Sequence, residues 1–194
     1  MNGPLEPRLA EIVRASPTLM QVLSLARDLD LPQWRIASGA VYQTVWNALA
    51  GRPADYGIRD YDLIYFDGSD LSYEAEDVVI RRAAAAFPPA LSAKVEARNQ
   101  ARVHLWFEAH FGEPYAPLTS ADEAIGRFVS PAFAVGISLA ADGAIEIAAP
   151  FGLEDLFARR LRPNPTRPLA KGWAKATASA KARWPEVMIE GPGA

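Results

Sequence analysis

The sequence predicts an α/β (α+β) fold, a small mixed sheet flanked by helices, with a late β-hairpin and C-terminal helices. Three observations carry this. Segments with apolar residues at helical spacing alternate with short segments of strand character. Asp142-Gly143 sits between two apolar runs, Phe133 to Leu139 and Ile145 to Ala148, which is a hairpin signature. Near the C-terminus, Leu169, Trp173, Ala176, Ala180 and Trp184 fall on one helical face.

The elements follow in order. Glu6 to Arg14 reads as a short helix with Leu9, Ile12 and Val13 on one side. Ser16-Pro17 gives an N-cap and a proline at the first helical position. Leu19, Met20, Leu23, Ala26 and Leu29 then carry a second helix to about Asp30. Gln33 to Ala37 forms a short strand leading into a small-residue turn, Ser38-Gly39-Ala40. Val41, Val45, Trp46 and Leu49 recur at helical spacing until Gly51, Pro53 and Gly57 break the chain. Ile58 to Phe66 is an apolar, aromatic strand. Beyond the Gly68-Ser69 turn, Ser72 caps a helix through Val78, Val79, Ala83 and Phe87, which Pro88-Pro89 ends. Leu91 to Ala97 alternates apolar and polar residues as a half-buried strand does. Asn99 caps a helix holding Ala101, Leu105, Trp106 and His110, closing at Gly112. Ser120 to Glu123 is a capping-box pattern. Gly152 to Leu161 reads as helical, Arg162-Pro163-Asn164-Pro165 breaks it, and a last helix starts at about Leu169.

Composition sets the outer bounds. With 194 residues the chain fits one domain: a helical segment 1–31, a core 32–150 and a basic helical segment 151–194. The absence of cysteine excludes disulfides and thiolate metal sites and suits a reducing compartment. No apolar signal core or membrane-length run is present, so a cytoplasmic location with no membrane partner is expected. The net charge of −3 hides an asymmetry. Arg159, Arg160, Arg162, Arg167, Lys171, Lys175, Lys181 and Arg183 lie in a stretch without acids, against 12 basic and 23 acidic residues elsewhere.

The chemistry concentrates in Ser38 to Asp67. Residues two apart in a strand share a face, so Asp60 and Asp62 project their carboxylates side by side. Like charges there repel, and a divalent metal with oxygen ligands is the simplest compensation. The plain alternative is an acidic strand end on a solvated surface. Gly39 lets backbone amides approach a phosphate at a helix start, and Ser38 adds a hydroxyl. Arg98, Asn99 and Arg102 are placed to reach a phosphate or second substrate, or else to cap a helix and meet solvent. His104 and His110 are six apart on a helix and do not share a face as metal ligands would. Trp46, Trp106, Trp173 and Trp184 read as core, with stacking of one of them on a base as the alternative.

A resemblance sharpens this. Gly-Ala, a helix, then Asp-x-Asp on a strand looks like the nucleotidyltransferase superfamily that includes DNA polymerase beta. G-A-V-Y-Q-T-V-W-N, D-Y-D-L-I-Y-F-D, N-Q-A-R-V-H-L-W and A-P-F-G-L-E-D-L-F…R-P-N-P resemble a bacterial nucleotidyltransferase-like family of about this length, from roughly Trp34 to Trp184. The resemblance implies a nucleotidyltransferase-type fold, a nucleoside triphosphate donor, and Mg²⁺ or Mn²⁺ held by Asp60 and Asp62. It also implies a third carboxylate from a neighbouring strand near the base that activates the nucleophile. Glu96 matches best, with Asp67 a weaker rival and a solvated Glu96 paired to Lys94 or Arg98 the plain reading. Nucleotide-binding residues would be Ser38, Gly39, Ala40, Arg98, Asn99 and Arg102. Ala40 stands where the wider superfamily has a serine, and about twenty residues separate Gly39 from Asp60. A non-catalytic nucleotide- or metal-binding module and a nucleic-acid-interacting protein are the alternatives. A small anionic acceptor is favoured over nucleic acid, because the body around the basic stretch is acidic.

Overall fold

The computed structural model describes residues 4–192. Helices α1 (Leu5–Arg14) and α2 (Pro17–Asp28) open the chain. Ser16 is buried and its hydroxyl makes no cap bond, so the start of α2 is set by Pro17 at the first helical position and not by the predicted serine cap.

Five strands follow: β1 (Arg35–Ala37), β2 (Tyr61–Tyr65), β3 (Val95–Asn99), β4 (Gly136–Leu139) and β5 (Ile145–Ala148). They form a mixed sheet in the order β3-β2-β1-β4-β5, antiparallel except for the parallel pair β2 and β3. A parallel pair needs a crossover, supplied by α4 (Tyr73–Ala86). The predicted Ser72 cap is in place, its hydroxyl accepting the Ala75 N–H at 3.2 Å. The Asp142-Gly143 hairpin joins β4 to β5, with Gly143 at φ 82.

Helix α3 (Gly39–Leu49) is buried along most of its length. Its Tyr42 and Trp46 meet Phe133 and Trp184 in an aromatic cluster, with Tyr42 and Phe133 centroids 4.4 Å apart and the Trp46 and Trp184 rings edge-on at 5.4 Å. Leu9 and Leu23 from the N-terminal helices and Trp173 and Trp184 from the C-terminal segment enter the same core. Trp184 donates its indole N–H to Asn47 Oδ1 at 3.0 Å, and the Asn47 amide donates to the carbonyls of Ala54 and Tyr56 at 3.1 and 2.8 Å.

Several predicted boundaries move. The strand predicted from Ile58 begins only at Tyr61, whose N–H takes the Lys94 carbonyl, so Asp60 stands just before the strand. Leu91 is in a short helix, α5 (Pro89–Ser92), because Pro89 suits a first helical turn; the alternation read there as a strand is coincidental. The helix predicted after Asn99 divides into a 3₁₀ turn, Gln100–Leu105, and α6 (Phe107–Phe111), which Gly112 closes at φ 67. Helix α7 (Ala121–Ile125) starts at Ser120, which accepts the Glu123 N–H at 3.0 Å. Of the predicted Gly152–Leu161 helix only α8 (Glu154–Phe157) forms. Arg159, at φ 52, turns the chain into β6 (Arg160–Leu161), which pairs with β7 (Met188–Ile189), a two-stranded sheet that the sequence did not signal. Helix α9 is Trp173–Arg183, so Lys171 precedes it and does not share a helical flank with Lys175. Among the described residues no helix is long and apolar enough to cross a membrane.

The two faces of β2 have different neighbours. Tyr61, Leu63 and Tyr65 enter the main core, whereas Ile64 joins Ala37, Ala121 and Ile125 in a smaller cluster under α7. Asp62 shares the Ile64 face by strand alternation, and that face is where the sheet opens.

Asn47 carries the link between α3 and the C-terminal segment. Replacing Asn47 with Ala strands the Trp184 N–H and two carbonyls, and is expected to destabilise the protein by about 2–4 kcal/mol. Urea midpoints read this directly; a variant as stable as the wild type would show that Trp184 is held by packing alone.

Candidate active site

Because β1 and β2 are antiparallel, β1 ends where β2 begins, and this sets Ser38-Gly39 beside Asp60. Ala37 pairs with Asp62, and Asp62 pairs with Glu96 on β3. Directly paired residues share a face, so Asp62 and Glu96 stand side by side.

The turn before α3 is strained. Ser38 has φ 48 and ψ −104, a region that non-glycine residues seldom occupy. Its N–H donates to the Val135 carbonyl at 2.8 Å, and its own carbonyl accepts the Val41 and Tyr42 amides at 3.0 Å. A Cβ on Gly39 would lie 3.6 Å from Asp60 Oδ1 and 3.3 Å from Gln43 Nε2, so glycine keeps the space between helix start and carboxylate open. Ala40 is fully buried in the main core, so its side chain does not face this space.

Asp62 is held protonated up to about pH 7. Burial is the first cause, followed by repulsion from Asp60 and Glu96, with Arg98 opposing. Arg98 Nη2 lies 3.7 Å from the Glu96 carboxylate, both side chains being about half exposed, so the pair screens Glu96 only in part. Among the described residues no three acidic or histidine side chains stand close enough to hold a metal alone. The chain therefore offers a carboxylate pair and a neighbour, a donor set that phosphate and water oxygens would have to complete.

Asn99 and Arg102 differ from the sequence expectation. The Asn99 side chain accepts the Asp67 and Ala101 amides at 3.0 and 3.1 Å and donates to the Asp67 carbonyl at 2.8 Å. Arg102 forms a buried ion pair with Glu76 and donates to the Leu71 carbonyl at 2.8 Å. Both act in the scaffold and neither lines the cleft. The physical reason is strand alternation: Glu96 and Arg98 face outward from β3, and Asn99 faces inward. Asp67 begins a turn, accepting the Ser69 N–H at 2.9 Å.

A cleft of about 420 Å³ opens over this face. Asp62, Ile64, Glu96, Arg98 and Gln100 form its sheet side. Trp106, Phe107, Phe111 and Tyr115 form an aromatic wall, and Arg127 and Arg167 lie beyond. The sequence reading missed this wall: Trp106 was assigned to the core, yet it is only half-buried. The spacing of Phe107, Phe111 and Tyr115 by four was the available signal.

The basic C-terminal stretch is mostly engaged. Arg160 and Arg162 converge on the buried Asp155. Arg167 pairs with Glu113, Lys171 Nζ donates to the Gly112 carbonyl, and Lys181 Nζ donates to the Val187 carbonyl. Arg183 donates to Gln43 Oε1 and to the Gly57 carbonyl, both at 3.0 Å, behind the Gly39 turn.

A family model described as "Nucleotidyltransferase" matches residues 24–189. The chain belongs to this nucleotidyltransferase family. A solved structure described as "The NMR structure of the protein reveals a CCA-adding enzyme head domain" is similar to it, with 27% identity, a TM-score of 0.75 and coverage of 94% of each chain. No curated protein matches. The five-stranded mixed sheet flanked by helices is thus a nucleotidyltransferase-type fold, as the resemblance implied.

The Asp62 shift has a stability consequence for this nucleotidyltransferase-family chain. The unfolded chain releases this proton near pH 3.8 and the folded chain near pH 7, so the folded state binds more protons in between. Stability therefore falls as pH rises through that window. Asp62→Asn should remove this contribution and be more stable than wild type by up to about 4 kcal/mol at pH 8, with the difference nearly vanishing at pH 4. Denaturant midpoints from pH 4 to 8 check it, and parallel profiles would refute it.

Proposed function

We propose that the chain is a metal-dependent nucleotidyltransferase moving a nucleotidyl group from a nucleoside triphosphate to a small anionic acceptor. One observation carries the reading: Asp62 and Glu96 are paired on one open sheet face with Asp60 just before the strand, and Asp62 is raised to about 7 by burial and by these two acidic neighbours. Family membership and the likeness to a CCA-adding enzyme head domain support it.

The carboxylate donors fit Mg²⁺ or Mn²⁺, which favour hard oxygen ligands and take one or two carboxylates with phosphates and water. Asp60 and Asp62 would hold the ion, which when bound supplies positive charge to the phosphoryl oxygens of the transition state. Everything else falls to the chain itself. The start of α3 at Gly39 offers unpaired amides and the positive end of the helix dipole to the triphosphate. The acceptor's O–H or N–H attacks the α-phosphorus from the side opposite the pyrophosphate. Glu96 takes that proton as the new bond to phosphorus forms. The bond from the α-phosphorus to the bridging oxygen breaks, and pyrophosphate leaves with that electron pair. Arg98 steadies the Glu96 carboxylate from one side, while Arg127 and Arg167 face an acceptor's negative charge.

A second reading, a nucleotide- or metal-binding module without transfer, draws on Ala40. Its side chain is buried, so phosphate contacts at this turn fall to the backbone and to Ser38.

Calorimetry with Mg²⁺ and a non-hydrolysable nucleoside triphosphate tests the proposal. The double variant Asp60→Asn/Asp62→Asn should lose metal-dependent affinity by at least ~100-fold, about 2.7 kcal/mol. Unchanged affinity would sink the metal site. Glu96→Gln should keep that affinity and slow transfer by about 10²–10⁴-fold. Tight binding with no transfer to any acceptor in a broad panel would favour the module.

A further inference from the structure

We infer that the cleft beyond Glu96 is the acceptor half of the site, and that it takes a small molecule built on a planar aromatic ring bearing one anionic group. The assignment rests on the transfer reading; the ligand chemistry rests on the cleft itself.

Direction comes first. Attacking and leaving oxygens lie roughly in line at phosphorus. With the pyrophosphate at the Gly39 end, the nucleophile arrives from the Glu96 end. The cleft is lined by Asp62 and Glu96 but by neither Gly39 nor Asp60, so its occupant is whatever lies on the nucleophile side. Its volume of about 420 Å³ falls in the range of small-molecule sites.

The wall then defines the ligand's body. Phe107 lies 4.7 Å from Phe111 and 4.4 Å from Tyr115 between ring centroids, and Trp106 lies 6.1 Å from Phe107. These rings are tilted against one another and do not close into the main core. Phe111 remains 50% exposed, in a chain that buries Trp46 and Trp184 completely. Ile64 and Val103 continue the apolar lining. A flat ring inserted here meets aromatic surface on one side and aliphatic surface on the other.

The far end supplies the charge. Arg127 and Arg167 are joined, Arg167 donating to the Arg127 carbonyl at 2.8 Å. Each also meets a glutamate, Arg127 with Glu123 at 3.0 Å and Arg167 with Glu113. A guanidinium has five donors, so both retain N–H groups for a ligand, while the glutamates disfavour a polyanion. A neighbouring cavity of about 370 Å³ shares Tyr115, Arg127 and Arg167 and adds Thr166 and Lys171.

A nucleic-acid acceptor fits less well. Binding a polymer calls for a track of cations free to displace counterions. Arg160 and Arg162 instead converge on Asp155, and Arg183 is engaged with Gln43 and Gly57.

The test titrates the full chain, without metal or nucleotide, with 4-hydroxybenzoate, with cyclohexanecarboxylate and with a short oligonucleotide, followed by NMR. Only 4-hydroxybenzoate should shift the Trp106, Phe111 and Tyr115 ring resonances saturably. Trp106→Ala should weaken it at least ~10-fold, and Trp106→Phe, which keeps a ring, by no more than ~3-fold. Equal affinity for the cyclohexane acid would overturn the aromatic assignment. Tighter, steeply salt-dependent oligonucleotide binding at the same resonances would overturn the small-molecule one. If a metal–triphosphate complex alone moves Trp106, the cleft belongs to the donor's base and the acceptor assignment falls. Since the first titrations contain neither metal nor nucleotide, they read the cleft independently of the result with Asp60→Asn/Asp62→Asn.

Discussion

A carboxylate held partly buried beside two others, against their repulsion, is the constraint on which the site depends. Left free, Asp60, Asp62 and Glu96 would move apart into water. What prevents it is register. Asp62 lies between Tyr61 and Leu63, both in the main core, and a one-residue slip of β2 would drive those side chains out and bury the acid instead. The antiparallel pairing with β1 and the parallel pairing with β3 fix the same residue from two sides. Apolar burial on one sheet face therefore sustains an unfavourable electrostatic arrangement on the other.

The peripheral elements serve that arrangement. The N–H of Asn99 donates to the Glu76 carboxylate at 2.8 Å, which ties the end of β3 to the crossover helix α4. The Asn99 side chain ties the same point to Asp67 at the end of β2. At the other end, Arg183 and Trp184 reach from α9 and the residue after it to Gln43 and Asn47 of α3, behind the Gly39 turn. Asn99 and Arg102, which look from the sequence like phosphate ligands, and much of the basic C-terminal segment are thus fasteners of the scaffold.

How much of this was legible depends on the range of the interactions involved. Helices α1, α2, α3 and α4, the hairpin and the capping serines Ser72 and Ser120 are local patterns, and the sequence displays them. The Asp60, Asp62 and Gly39 grouping was visible because a turn, a helix and a strand follow one another closely. The β6–β7 pair was not, because two-residue strands have no period and find each other across 26 intervening residues. Asn99 and Arg102 were read toward the site because proximity to Glu96 in sequence says nothing about which side of β3 a residue faces until the strand's start is known. That start was set by Pro89, whose helical turn displaced the apparent alternation of Leu91 to Ala97. The aromatic wall was hidden for a similar reason, since a helix carrying aromatic residues looks the same whether its rings enter a core or line a cleft.

The way this chain treats its buried acids argues for what the open ones await. Glu76 is buried and meets Arg102. Asp155 is buried and meets both Arg160 and Arg162. In each case the folded chain supplies the cation itself, as a buried carboxylate requires. Asp62 is treated otherwise. Two further carboxylates, Asp60 and Glu96, act on it, and Arg98, which opposes them, also pairs with the exposed Glu96, so that Asp62 stays protonated to about pH 7. Arginine is not scarce here, since Arg127 and Arg167 stand across the same cleft. A fold that neutralises its structural acids and leaves this one without an ion pair, beside an open helix start, is what supports the metal site proposed for Asp60 and Asp62.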